Sequence, residues 1–211
     1  MNNQNPTLLF KPDFDIAIQH WDAFYAGEII DRPIVCVTGP RTGYEEISKT
    51  WSGLTYYNRV HDDFDSLIDR AIQSASMTYY GGESTPVFST DFSPDEIALF
   101  VGGKLEFSKD SGDTSWSRPF VQSWEDILPL QIDETNVYWQ RMVKFFEKAA
   151  ERLSGKMLIA PLDLHTNMDL LSAIRSPQHL CIDLIEQPKM IDLAMENSRQ
   201  IFRKIWDTIS V

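Results

Sequence analysis

Residues 156–175, KMLIAPLDLHTNMDLLSAIR, constrain the fold of this chain more than any other stretch. They begin with a short apolar run, which is typical of a buried β-strand. A polar loop follows, in which Asp163, His165 and Asp169 lie close together in sequence. A helical pattern that carries Arg175 completes the stretch. This is the layout of a βα unit, and in parallel α/β folds the chemistry lies in the loop after the strand.

Helical and strand patterns alternate along the rest of the chain. Apolar and β-branched runs predict strands at 34–37, 86–90 and 157–160. Residues 104–107 predict an edge or hairpin strand. Apolar residues at helical spacing predict helices at 13–26, 62–79, 93–101 and 134–153, and after Ser176 and Gln187. This order predicts a single α/β domain with parallel strands over residues 1–211, of which residues 1–12 are a loose lead-in. Residues 42–60 and 108–119 are expected to be loops.

Composition narrows the classes of partner. The net charge of −12 argues against nucleic acid and against an anionic membrane surface, since both need clustered Lys and Arg. No apolar run approaches the roughly 18 residues that span a bilayer, and the N-terminus lacks a secretory pattern. We therefore expect a cytoplasmic protein. Cys36 and Cys181 lie in apolar runs and are expected to be small buried side chains.

Four groups of residues resemble the N-terminal half of proteins in the uroporphyrinogen decarboxylase superfamily. They occur in the same order within residues 21–33, 79–91, 102–116 and 163–188. The resemblance implies a truncated TIM-type (β/α)8 barrel, about half of a full barrel, with parallel strands and a site at their C-terminal ends. It implies a tetrapyrrole-type or corrinoid-type small-molecule ligand. The implied activity is either a decarboxylase (lyase) of porphyrin biosynthesis or a corrinoid-linked methyltransferase.

The resemblance also implies roles for two residues. Asp91 matches the acidic residue that contacts the pyrrole nitrogens in the decarboxylase. Arg41 stands where the decarboxylase has a loop with two arginines that bind substrate carboxylates, so one of that pair is missing. The family's later tyrosine has no counterpart within residues 166–175, and the zinc ligands of the methyltransferases would lie beyond Val211. A decarboxylase of this kind needs no cofactor, because the protonated pyrrole is the electron sink.

The residue types themselves support a small set of candidates. His165 suits acid–base catalysis, because imidazole titrates near neutral pH, and Asp163 and Asp169 are near enough in sequence to orient it. Its alternative role is to bridge the loop. These three residues also resemble a partial metal site, but no second His or Cys cluster completes it, and no metal is expected. Asp91 is the second catalytic candidate, with a turn or helix cap as its alternative.

The remaining candidates are expected to bind substrate. Arg41 suits a carboxylate, and its alternative is an ordinary surface arginine. Arg175 either reaches the pocket or complements a helix dipole. Trp116 either lines the pocket of a flat ligand or packs at its rim.

A second hypothesis belongs to another class of protein. The chain is then a non-catalytic half-barrel, or a subunit that closes its open edges by forming a homodimer or by joining a complementing chain.

Overall fold

A computed structural model describes residues 7–50, 53–108 and 114–210, and the side chains of residues 48–50 are left aside. The helices in these ranges are α1 Phe14–Tyr25, α2 Glu45–Thr50, α3 Tyr56–His61, α4 Phe64–Met77, α5 Glu96–Phe100, α6 Val137–Leu153, α7 Met168–Arg175, α8 Pro177–Glu186 and α9 Pro188–Ile209. The strands are β1 Cys36–Pro40, β2 Thr78–Gly82, β3 Val87–Phe88, β4 Lys104–Phe107, β5 Ser115–Arg118 and β6 Leu158–Ile159. None of the described helices combines the length and the apolar character needed to cross a bilayer.

The strands form three two-stranded sheets. The pairs β1–β2 and β4–β5 are antiparallel, and β3–β6 is parallel. The predicted half of a TIM-type barrel with parallel strands is therefore wrong, since the described residues contain no parallel sheet beyond this one pair. The physical reason lies in β2 and β5. Residues 78–82 pair with the predicted first strand, and residues 115–118 complete a hairpin, where helix and loop were predicted.

Most of the helical prediction is confirmed, although α2 and most of α3 lie in residues 42–60, which were predicted to be a loop. Periodic apolar positions predict α1, α4, α6, α8 and α9 to within a few residues. In α4, Asp63 caps the helix by accepting a hydrogen bond from the Ser66 amide, and Leu67 and Ile68 are buried. A helix cap and a buried helix face both depend on residues within one helix, so the local sequence predicts them.

Two smaller expectations concern burial. Cys36 and Cys181 are both exposed, so the prediction that they are buried is wrong. Of the predicted loose lead-in, residues 1–6 lie outside the described residues. Leu8, Phe10 and Lys11 are buried, and the Lys11 ammonium donates to the carbonyl oxygens of Tyr80 and Gly82.

Contacts divide the chain into two compact units. Unit 1 consists of residues 1–54, 63–89 and 148–160, and unit 2 consists of residues 55–62, 90–147 and 161–211. The core of unit 1 includes the buried side chains Leu8, Phe14, Ala17, Leu67 and Ile68. The core of unit 2 includes the buried side chains Ile97, Leu99, Phe100, Trp124, Met142, Leu170, Leu171 and Ile201.

Candidate functional site: a carboxyl cluster in unit 2

Two of the predicted site residues meet in unit 2. The backbone amide of Asp163 donates a hydrogen bond of 3.0 Å to Oδ1 of Asp91. Along the chain, Asp91 follows β3 and Asp163 follows β6, which are the two strands of the parallel pair. Both loops therefore bring a carboxylate to one place, and we name Asp91, Glu96 and Asp163 the carboxyl cluster.

Glu96 is the unusual member of the carboxyl cluster. It lies in the first turn of α5 with 0% of its surface exposed, and neither carboxyl oxygen has a well-formed hydrogen bond among the described residues. Burial, and then the charge of Asp91, raise the pKa of Glu96 well above its usual value. A weak backbone hydrogen bond from Phe92 and the Arg59 guanidinium oppose this rise, and the Asp163 charge adds to it. The environment of Glu96 therefore favours the uncharged carboxylic acid, next to Asp91 and Asp163.

Other buried polar atoms near the carboxyl cluster are also unsatisfied. Arg59 donates from Nη1 to the Asp91 carbonyl oxygen at 3.3 Å, and its guanidinium lies over the Tyr56 ring. Its Nε and the hydroxyl of Thr90 are buried without a hydrogen-bond partner among the described residues. Leaving a buried polar atom unpaired costs about 1–3 kcal/mol, so native proteins do this rarely. We interpret these atoms as ones that a bound polar molecule satisfies.

His165 extends the carboxyl cluster towards solvent. Its Nε2 lies 3.2 Å from Oδ1 of Asp163, and both side chains are about half exposed. The two residues are thus brought together as their spacing predicts, and the acid–base role of His165 stays a prediction. Asp169 is exposed in the first turn of α7, where a carboxylate complements the helix dipole. Within the described ranges, no group of three His, Cys, Asp or Glu side chains is arranged to hold a metal ion.

Arg175 is held in a buried ion pair. Its Nε and Nη2 donate to the Asp183 carboxylate at 2.7 and 3.1 Å, and Nη1 donates to the carbonyl oxygens of Val121 and Gln122. Trp124 donates its indole N–H to the same carboxylate at 2.8 Å. The hydrogen bond from Arg175 is the main reason why the pKa of Asp183 is lowered. These bonds link α7 to α8, so Arg175 has a structural task whether or not it also meets a ligand.

Trp116 lies in the middle of β5. Side chains alternate along this strand, with Ser115 and Ser117 buried and Trp116 40% exposed. The indole is thus on the outer face of the β4–β5 hairpin, opposite Glu106. Its substrate-binding role stays a prediction.

Arg41 lines a separate cavity in unit 1. Its guanidinium donates from Nε to the Thr78 carbonyl oxygen at 2.9 Å and from Nη2 to the Phe10 carbonyl oxygen at 3.3 Å. The cavity has a volume of about 660 Å³, and Tyr79 and Tyr80 are among its lining residues. A guanidinium suits a ligand carboxylate, and this role of Arg41 stays a prediction.

Glu96 and Arg59 were missed by the sequence analysis. Residues 93–96 read as a helix start with acids in the first turn, which is a common and exposed arrangement. The available signal was the apolar run Ile97–Val101 directly after Glu96, since a helix buried on all sides also buries its first turn. Arg59 belongs to the residue 42–60 segment, which was predicted to be a loop and in fact contains α2 and α3; residues 51–52 lie outside the described part.

No family model, curated protein or solved structure matches this chain. The resemblance to the uroporphyrinogen decarboxylase superfamily therefore stays a prediction. The carboxyl cluster is inferred from the contacts and burial described above and does not depend on this resemblance.

Proposed function

We propose that this chain binds a small tetrapyrrole-type or corrinoid-type molecule at the carboxyl cluster and exchanges a proton with it. The observation that carries the proposal is the buried, unpaired Glu96 carboxyl beside Asp91, whose Oδ1 accepts the Asp163 amide at 3.0 Å. Pyrrole N–H groups are donors, and carboxylates are the acceptors that match them. The ligand class comes from the sequence resemblance, and the cluster supplies the matching chemistry.

The chemistry follows from the different environments of the carboxyl groups. When neighbouring carboxyl groups have pKa values pushed apart, one serves as the acid and another as the base. Burial, and then the charge of Asp91, disfavour the ionisation of Glu96, so its carboxyl is the proton donor of the group. Asp91 stabilises the positive charge that develops when a pyrrole ring carbon is protonated.

Decarboxylation is the reaction that this arrangement supports best. A protonated pyrrole accepts the electron pair that is released when the carbon–carbon bond breaks and CO2 leaves. A proton then takes the place of the lost carboxylate, and the ring gives up its own added proton. Each of these transfers is the kind of step that a carboxylic acid beside a carboxylate performs.

We expect Asp91→Asn to weaken the binding of uroporphyrin, a stable oxidised relative of the proposed substrate, at least tenfold, or about 1.4 kcal/mol. The change removes a charge and an acceptor while it keeps the shape of the side chain. Fluorescence titration of wild type and variant measures the effect. Asp207→Asn, at an exposed position of α9, is the matched control and should bind as wild type does.

Arg41→Gln separates the two places where a carboxylated ligand fits. If Arg41→Gln abolishes binding and Asp91→Asn leaves it unchanged, the ligand occupies the cavity in unit 1, and the proposal for the carboxyl cluster is wrong. Equal binding by all the variants would contradict a specific site.

A second candidate function is that of a subunit that joins a copy of itself or a complementing chain. Exposed apolar side chains favour it: Ile185 on α8 is 84% exposed, and each two-stranded sheet has open edges. We expect a dimer by light scattering, with an unfolding midpoint in urea that rises with protein concentration. A monomer whose midpoint is independent of concentration would rule this candidate out.

A further inference from the structure

A charged network lies at the base of a second cavity in unit 1. Glu83 is 1% exposed, and its carboxylate accepts two hydrogen bonds of 2.7 Å from Arg32 and one of 2.9 Å from the Val35 amide. Glycine is needed just before it: Gly82 has φ +59°, and a Cβ there would lie 2.0 Å from the Val35 carbonyl oxygen. The backbone thus turns tightly to bring Glu83 under this segment.

His20 completes the network, and its contact with the Glu83 carboxylate fixes the tautomer of the neutral imidazole. Its Nδ1 lies 2.7 Å from Oε1 of Glu83, and the side chain is 9% exposed. Arg32 lowers the pKa of Glu83 to about 2, so Glu83 is ionised and only accepts hydrogen bonds. Nδ1 therefore carries the proton in the neutral imidazole, and Nε2 presents a lone pair.

The lone pair of His20 faces another acceptor. Oδ1 of Asp31 lies 3.6 Å from Nε2, which is too long for a direct hydrogen bond. A group with several N–H donors, placed beside both atoms, can donate one hydrogen bond to His20 Nε2 and another to Asp31 Oδ1. An ammonium group suits this position, because it has three N–H donors and a positive charge.

The cavity beside His20 has a volume of about 250 Å³ and mostly apolar walls. Phe24, Ile29 and Ile34 are among its lining residues, and Ile30 completes the apolar wall. Glu28 lines it as well, and among the described residues it forms no ion pair. The positive charge of Arg32 is already matched by Glu83. The field inside therefore favours a cation over an anion.

We propose that this cavity binds a small amine with an apolar body, whose ammonium group leaves the cavity at His20 and bridges His20 Nε2 to the neighbouring, exposed Asp31 carboxylate. The volume lies slightly below the usual range of small-molecule pockets, about 300–1,000 Å³, so the ligand is small. The site is independent of the carboxyl cluster, because every residue in it belongs to unit 1.

Three probes with a similar phenyl body test the chemistry of the head group. Phenethylamine carries a cation, 2-phenylethanol a neutral donor, and 3-phenylpropionate an anion. Titration of the full chain, followed through the methyl NMR signals of Ile29, Ile30 and Ile34, gives the affinities. We expect the amine to bind best, at least fivefold tighter than the alcohol, and the propionate not to bind. Binding of the propionate at least as tightly as the amine, or no shift with any probe, overturns the proposal.

Two substitutions locate the head group. His20→Asn keeps an amide N–H where Nδ1 meets Glu83 and deletes the Nε2 acceptor, so it should weaken the amine at least tenfold. Asp31→Asn, at an exposed position, should weaken the amine at least fivefold and leave the alcohol unchanged. If His20→Asn loses thermal stability, the Asp31→Asn comparison still decides, since that side chain is exposed. Wild-type amine affinity in a folded His20→Asn, or equal amine affinity in Asp31→Asn and wild type, contradicts the proposed geometry.

Discussion

Replacing Glu83 by glutamine is expected to lower the free energy of unfolding by about 2–4 kcal/mol. The carboxylate is buried and satisfies Arg32, His20 and the Val35 amide together. Glutamine keeps the shape but removes the charge and places an N–H₂ group against donors. Urea unfolding at pH 7 measures the change. Glu151→Gln, at an exposed position in unit 1, is the matched control and should stay within about 0.5 kcal/mol of wild type.

The pH dependence of the same variant checks the cause. The hydrogen bonds from Arg32 lower the pKa of Glu83 from 4.5 to about 2. A lowered folded-state pKa gives stability that is complete above pH 4.5 and is lost as the pH falls towards 2. Wild type should therefore lose stability in this window, and Glu83→Gln should lose less. A difference between the two proteins that stays constant from pH 5 to pH 2.5 would show that the charge of Glu83 does not stabilise the fold.

Replacing Glu96 by glutamine is expected to remove a pH-dependent loss of stability. The pKa of Glu96 is raised in the folded protein, mainly by burial and then by Asp91. The unfolded chain ionises near pH 4.5 and the folded chain does not, so stability falls as the pH rises above 4.5. Glutamine cannot ionise. The stability of Glu96→Gln relative to wild type should thus increase steadily as the pH rises from 4 to 8.

Urea unfolding at several pH values measures this difference. Glu151→Gln again serves as the control and should show no such trend. A Glu96→Gln protein whose stability parallels that of wild type over the whole range would mean that Glu96 ionises normally. The same variant should bind uroporphyrin more weakly if the buried proton belongs to the ligand site. A stabilised protein with weaker binding is the pattern of a residue kept for function.

The helices were predictable, and the sheets were not, for a physical reason. A helix satisfies its backbone locally, and its apolar face repeats within one segment, as Leu67 and Ile68 show in α4. A strand needs a partner that lies elsewhere in the chain. Residues 78 and 79 end the predicted helix and Gly81-Gly82 was predicted to stop it, yet residues 78–82 pair with β1, because the Tyr and Thr side chains also suit a strand. That choice of partner turns the predicted parallel sheet into an antiparallel one.

The candidate site was predictable in part. Asp91 and Asp163 each follow a short strand, and the pairing of β3 with β6 is parallel, as the βα pattern indicated. Their hydrogen-bonded contact follows from that pattern. Glu96 was missed, since a first-turn acid is usually exposed, and the apolar run Ile97–Val101 was the one local sign that packing buries this one. Arg175 was selected from the sequence for a dipole or pocket role because it lies before Ser176. The structure instead gives it an ion pair with Asp183, which the sequence did not indicate.

Carbon-13 NMR of the Glu96 side-chain carboxyl, followed from pH 3 to pH 9, is the most direct test of the carboxyl cluster. An ordinary glutamate titrates at about pH 4.3. The predicted result is a carboxyl that titrates well above the range of an ordinary glutamate, and whose titration moves to lower pH in Asp91→Asn, because the charge of Asp91 is then removed. A titration that coincides with that of the exposed Glu151 and does not respond to Asp91→Asn would contradict the cluster and the proton transfer proposed for it.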